Sequence, residues 1–317
     1  MALVLELFGR KKRVEGLVGL SVNDSRISMA HVIRRRDELT LAHCARVPLT
    51  SSAPLRESLA RLVEEHGLVN AACSCVLSPK DYNVYLVEAP QVEPEEVSAA
   101  VRWKVKDLLD MPIEDAVIDV FPVPEDAFKG RNKMCYAVVA ARPQIENLIA
   151  TVARANMELH AIDIPEMAMR NLSSHFLDDS HGLAFISLKQ SGSTLNITRN
   201  GQLFLTRRIN TPVGANAMAQ NDWDMVRDRL ALEIQRSLDY FESQMGQAPV
   251  SQIMIAPRET DTGFMMNALA DALGAPVGML DFMHELPSPD SITLDMKGAA
   301  LMAIGAAMRI DPEGAPS

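Results

Sequence analysis

One ordering of short apolar segments occurs twice along the 317 residues, and it limits the available folds more than any other feature. In the first half, residues 14–22, 26–33 and 39–47 read as three strands. Asn23-Asp24-Ser25 breaks the first, and the polar stretch 34–38 separates the second from the third. Leu55, Leu59, Leu62 and Val63 then recur at helical spacing, and 73–77 is a further short strand. The second half repeats the order. Strands are predicted over 183–188, 194–198 and 203–209, the last two joined by Asn200-Gly201, a strong hairpin signal. A helix over 223–245 carries Val226, Leu230, Ile234, Leu238, Phe241 and Met245 as one stripe. It leads to a strand over 253–256 and a helix over 264–273 that Gly274 and Pro276 stop. Two such units suggest a duplicated α/β fold, each sheet flanked by helices. An unrelated pair of α/β units is the alternative that periodicity leaves open.

Between the halves, Pro94-Glu95-Glu96 starts a helix bearing Val97, Val101, Val105 and Leu108, and Pro112 ends it. Strands over 117–123 and 135–141 follow, and Pro143 opens another helix, so a smaller subdomain is expected here. Near the C-terminus, Gly298 and Gly305 within 297–308 should let a helix approach its neighbours closely, while 312–317 reads as frayed.

Composition narrows function by exclusion. The net charge of −10 argues against a nucleic-acid protein, whose affinity comes largely from neutralising phosphates. Cys44, Cys73, Cys75 and Cys135 lack paired metal-ligand spacing; Cys73 and Cys75 share one strand face and read as core thiols in a reducing compartment. No apolar run approaches the roughly 20 residues of a membrane span. At the N-terminus the apolar residues precede Arg10-Lys11-Lys12-Arg13, the reverse of a secretion signal. The chain is therefore expected in the cytoplasm, with this basic tip able to graze a membrane or a partner. None of the seven histidines has metal-motif spacing, and no Gly-x-Ser-x-Gly elbow is present. His175, Asp178, Asp179 and His181 read as a solvated loop, and Arg34-Arg35-Arg36 as a solvated hairpin tip.

Four segments carry a family likeness: Pro94-Glu95-Glu96 leading into Val101-Arg102-Trp103-Lys104; Ser193-Thr194-Leu195-Asn196; Asn200-Gly201; and Glu233-Ile234-Gln235-Arg236-Ser237-Leu238-Asp239-Tyr240-Phe241. Through them the chain resembles the PilM family of type IV pilus assembly proteins, and within it the MshI-type proteins of the mannose-sensitive haemagglutinin (MSHA) pilus. The resemblance runs from about residue 15 to 309. It implies an actin-like, ribonuclease H-like duplicated α/β fold: two lobes around a cleft, the first over 14–165 with an inserted subdomain at about 78–140, the second over 166–311. It also implies that the chain binds the short cytoplasmic tail of a PilN-like inner-membrane protein, so that it lies peripherally at the inner membrane. The cytoplasmic pilus motor and a second copy of the chain are further partners it admits.

PilM-type members bind ATP and Mg²⁺ in the cleft, which requires close backbone N–H groups at phosphates and carboxylates for the hydrated metal. The matching positions here depart from that pattern. In the first phosphate loop Ser21 stands for the metal-organising Asp, Asn23 for Gly and Ser28 for Lys, and Asp24 sits where phosphates would approach. In the second, Ser187 stands for Asp and Lys189 for Gly, while Gly192, Ser193 and Thr194 keep some loop character. Lys189 could meet an anion or be a solvated turn residue. Pro257 and Arg258 stand where adenosine needs a Gly pair. The expectation is therefore a non-catalytic scaffold with no cofactor and no metal. The alternative is a nucleotide-responsive switch that keeps ATP and Mg²⁺. For the partner tail the candidate contacts are Trp103, Tyr82, Tyr85 and Phe121; Trp103 leads because it lies off the Val101–Val105–Leu108 stripe.

Overall fold

The computed structural model describes residues 14–36, 38–128, 132–190, 192–214, 217, 222–257, 262–281 and 286–310. The expectations for the basic N-terminal tip, Arg258 and the 312–317 tail lie outside the described residues.

The first meander forms as β1 (Leu17–Asn23), β2 (Arg26–Arg35) and β3 (Glu38–Pro48), all antiparallel. Helix α1 (Leu55–Glu65) follows and buries Leu59, Leu62 and Val63. Next come β4 (Ala72–Val76), parallel to β1, and later β8 (Glu158–Asp163), parallel to β4, giving the sheet order β3-β2-β1-β4-β8. The second meander forms as β9 (Leu183–Ser187), β10 (Ser193–Arg199) and β11 (Gln202–Ile209). With β12 (Gln252–Ile255) and β13 (Val277–Met279) it gives the order β11-β10-β9-β12-β13, the same positions and directions as the first sheet. The repeated order of strands that periodicity suggested is thus present in the two sheets. Asn200 and Gly201 both take positive φ, 51° and 72°, as a two-residue primed hairpin requires.

Between β4 and β8 in the chain lie β5 (Tyr82–Glu88), β6 (Ala116–Pro122) and β7 (Met134–Ala141), an antiparallel sheet of order β5-β7-β6. Helix α2 (Val97–Val105) packs Val101 and Val105 on one face of it. The expected single helix is in fact α2 with a 3-10 turn on either side, so Leu108 leaves the stripe and is exposed. Helix α3 (Arg142–Arg154) leads into β8.

Helix α4 (Pro165–Phe176) connects the two large sheets, and α5 (Trp223–Ser243) covers the second, burying Leu230, Ile234, Leu238 and Phe241. Each such side chain contributes about 1.5–3 kcal/mol by leaving water. Helix α6 (Thr262–Leu273) ends at Gly274, whose φ of +62° is the left-handed stop that the sequence indicated.

The expected C-terminal helix is two, α7 (Leu294–Ala299) and α8 (Leu301–Ala307). Helix α8 returns to pack on β1, β2, β4 and α4, so one core contains Val32 and Leu41 beside Phe185, Met169 and Ile304. Gly305 does meet the Ala168 backbone closely. Gly298 has nothing within 4 Å of an added Cβ, so no close approach explains it. The Arg34–Arg36 tip is exposed, as expected, and two of its arginines also bond within the protein. Arg34 donates to the Met308 carbonyl beyond α8 (3.1 Å), and Arg35 makes two bonds to Glu15. Asp179 is buried, not solvated, and its carboxylate accepts the Gly201 N–H, pinning the β10–β11 hairpin.

Candidate functional site

Two turns occupy equivalent places in the two five-stranded sheets, β1–β2 and β9–β10, and each uses two of its N–H donors internally. Asn23 Oδ1 accepts from the Ser25 N–H (3.0 Å), the Ser25 hydroxyl (2.9 Å) and the Arg26 N–H (3.0 Å). Asp24 pairs with Lys80. Ser28 is buried and donates to the Ala299 carbonyl (3.1 Å), away from the turn, while Ser21 pairs across the ladder with Ser28. In the second turn the Ser193 hydroxyl accepts the Lys189 N–H (3.1 Å), and Gly192 N–H donates to the Lys189 carbonyl (3.3 Å). Ser187 and Thr194 are buried, and Gly192 has a φ of +107° that favours glycine. Pro257 follows β12 and is half-buried.

Lys189 keeps solvent contact, yet desolvation and the positive Arg26 push its pKa down to about 8. ATP with Mg²⁺ fits these residues poorly. Ser21 and Ser187 offer hydroxyls, not the carboxylates a hydrated metal needs, and the N–H groups of Ser25, Arg26, Lys189 and Gly192 already have acceptors. Among the described residues no group of three or more His, Cys, Asp or Glu is placed to hold a metal.

The four expected partner contacts divide between the two faces of the three-stranded sheet. Trp103 is 69% exposed on α2, with the Lys106 ammonium 5.6 Å from its ring centroid. Tyr85 packs in the α2 core, and its hydroxyl donates to the Leu108 carbonyl (3.1 Å). Phe121, half-buried on the opposite face, lies 5.2 Å from Tyr136. Tyr82 is 3% exposed and donates its hydroxyl to Glu166 (2.6 Å), so it acts inside the protein.

Sequence reasoning missed the polar junction around that bond. Glu166, at the start of α4, is 1% exposed, and burial raises its carboxyl pKa. Asn196 donates to the Glu166 carbonyl (2.8 Å) and accepts from Thr206 (2.8 Å). Arg208 donates to the Tyr82 carbonyl (3.0 Å) and lies 4.5 Å from the Tyr82 ring centroid. The one available signal was Glu166 among the apolar residues of its helix. A histidine ladder was also missed: His31 and His43 stack at 5.6 Å, and His66 lies 5.1 Å from His43. Each comes from a different element, so no spacing marks them. All four cysteines are free and buried, as core thiols should be.

No protein-family model matches this sequence, and no curated protein matches it. Solved structures do. A chain of a PilM-PilN type IV pilus biogenesis complex aligns over 95% of this chain and 100% of its own, at 17% identity and a TM-score of 0.73. The cytoplasmic domain of EpsL, an inner-membrane component of the type II secretion system of Vibrio cholerae, aligns over 94% and 97%, at 12% identity and a TM-score of 0.51. The chain thus has an α/β fold of two mixed five-stranded sheets and one antiparallel sheet, shared with a chain of the pilus complex. Its particular form is PilM-like, shared with the pilus complex along nearly its whole length. Among the described residues no helix is long and apolar enough to cross a membrane.

Proposed function

We propose that this chain is a non-catalytic cytoplasmic scaffold of a type IV pilus assembly machine of the MSHA type, an MshI-like protein. It would bind the cytoplasmic tail of a PilN-like inner-membrane protein and so sit at the membrane through its partner. The proposed organisation is two actin-like, ribonuclease H-like lobes around a cleft, 14–165 with an insert at about 78–140, and 166–311. The PilM-like fold supports this reading. The observation that carries the non-catalytic part is that Asn23 holds the N–H groups of Ser25 and Arg26, and Ser193 that of Lys189, so these three are not free for a phosphate. Losing three charge-assisted hydrogen bonds at about 1.5 kcal/mol each lowers affinity by roughly a thousandfold. Titration calorimetry of the purified protein with Mg-ATP is expected to show no binding at micromolar nucleotide. A micromolar dissociation constant accompanied by phosphate release would sink the scaffold reading.

A nucleotide-responsive switch that keeps ATP and Mg²⁺ is the second reading, and it would use the exposed Lys189 against the phosphates. It predicts a rise in the unfolding temperature with Mg-ATP that is absent in Lys189→Ala.

The proposed tail-binding face is the α2 side of the inserted sheet, led by Trp103 with Tyr85 beneath; Phe121 and the interior Tyr82 support the sheet from its other side. Exposed tryptophans are frequent interface anchors worth about 2 kcal/mol or more, about 30-fold in affinity. Trp103→Ala should weaken capture of the PilN-like tail by that factor in fluorescence anisotropy and leave circular dichroism unchanged. Equal capture by variant and parent would remove Trp103 from the interface.

A further inference from the structure

The face of the inserted sheet away from α2 is grooved. A groove of about 390 Å³, open to solvent, runs between β5 and β11, and both are edge strands of their sheets. The register fixes which β5 groups face it. Ala89 N–H donates to Lys133 on the β7 side, so odd-numbered residues of β5 bond to β7 and even-numbered ones point away. The Tyr82 carbonyl, pointing away, accepts from Arg208. Val84 and Leu86 are the next two such residues, and both line the groove. Their N–H and C=O groups are unused by the ladder.

The far wall is β11. There the Tyr136 hydroxyl already covers part of the edge, accepting the Thr206 N–H (3.2 Å) and donating to the Phe204 carbonyl (3.4 Å). The open ladder is therefore that of β5. The groove is also positive. Arg207 lies over the Tyr240 ring at 4.7 Å and Arg208 over Tyr82, and neither is in an ion pair among the described residues. The carboxylate at the groove floor, Glu166, is already bonded to Tyr82.

We propose that this groove takes an extended, acidic polypeptide segment of a partner, which adds as a strand to the edge of β5 and places a carboxylate against Arg207. Main-chain pairing along Val84 and Leu86 gives affinity, and the arginines select the acidic residues. The site is separate from the Trp103 face, so it stands whether or not the pilus tail binds there.

The test uses the full chain and a labelled peptide of alternating valine with aspartate or glutamate, with a valine–lysine peptide as control. The acidic peptide is expected to bind saturably, weaken as salt is raised from about 0.05 to 0.5 M, and protect the Val84 and Leu86 amides from hydrogen exchange. Arg207→Glu should weaken binding at least tenfold. Val84→Pro removes only an outward N–H, which an edge strand tolerates, and should do the same. Trp103→Ala should leave this binding unchanged. Absence of binding, equal binding of the lysine peptide, protection confined to α2, or unaltered affinity in both Arg207→Glu and Val84→Pro would each overturn the proposal.

Discussion

Gly19→Ala is expected to cost the protein more than about 3 kcal/mol, the upper end of what overpacking a core produces. A Cβ at Gly19 would fall 1.8 Å from the Ala303 carbonyl oxygen and 2.8 Å from the Ala307 nitrogen. Both atoms belong to the backbone of α8, so no side-chain rotation relieves the clash. The helix would have to lift from β1, and with it would go the packing of Ile304, Ala303 and Ala307 in the core shared by both large sheets. Gly305→Ala should act in the same direction, because its Cβ would meet the Ala168 carbonyl oxygen at 2.3 Å. Gly298→Ala is the control. With nothing within 4 Å and a helical position in α7, alanine there should be neutral or stabilise by up to about 1 kcal/mol. Urea unfolding followed by far-ultraviolet circular dichroism measures all three. Equal midpoints for Gly19→Ala and Gly298→Ala would show that α8 does not rest on β1 as described.

Tyr82→Phe should produce the second large loss, about 1.5–3 kcal/mol at neutral pH, by removing a hydrogen bond to a buried carboxylate. Its pH dependence distinguishes this cause from a packing defect. Burial holds the Glu166 pKa above its ordinary value, while the Tyr82 hydroxyl pulls it down; without that hydroxyl it rises further. A carboxyl whose folded pKa exceeds its unfolded value adds stability below the unfolded pKa and loses it as pH rises through the folded one. The variant, with the higher folded pKa, loses more over that climb. Its deficit relative to the parent is therefore expected to be largest near pH 7.5 and smaller near pH 5. A deficit of equal size at both would assign the loss to packing. The consequence extends beyond one bond, because Tyr82 joins the inserted sheet to α4, and Arg208 of β11 holds its carbonyl and ring.

These two sites differ in how far the sequence revealed them. Gly305 stands out in the sequence by its place in a small-residue helix, but Gly19 is an ordinary strand glycine, and at Gly298, as prominent as Gly305, an added Cβ meets nothing within 4 Å. The aromatic character of Tyr82 suggests a partner contact, but its hydroxyl bonds to Glu166, 84 residues away in the chain. The sequence pattern does not delimit strands β5, β8 and β13 or helix α4. Strand β13 is three residues long, and β8 and β5 have mostly half-exposed residues, which leave little alternation to detect.

The repeated meander, the Asn200-Gly201 hairpin, the α5 stripe and the stop at Gly274 were determined by the sequence itself. Each depends on contacts or backbone conformations within a few residues, where side-chain spacing and φ preference act directly. Tertiary structure alone decided three further things: that α8 returns to the first sheet, that Glu166 meets Tyr82 and Asn196, and that β5 presents an open edge to Arg207. Those depend on elements distant in the chain coming within van der Waals or hydrogen-bond distance, and periodicity within one segment carries no record of which partner that will be.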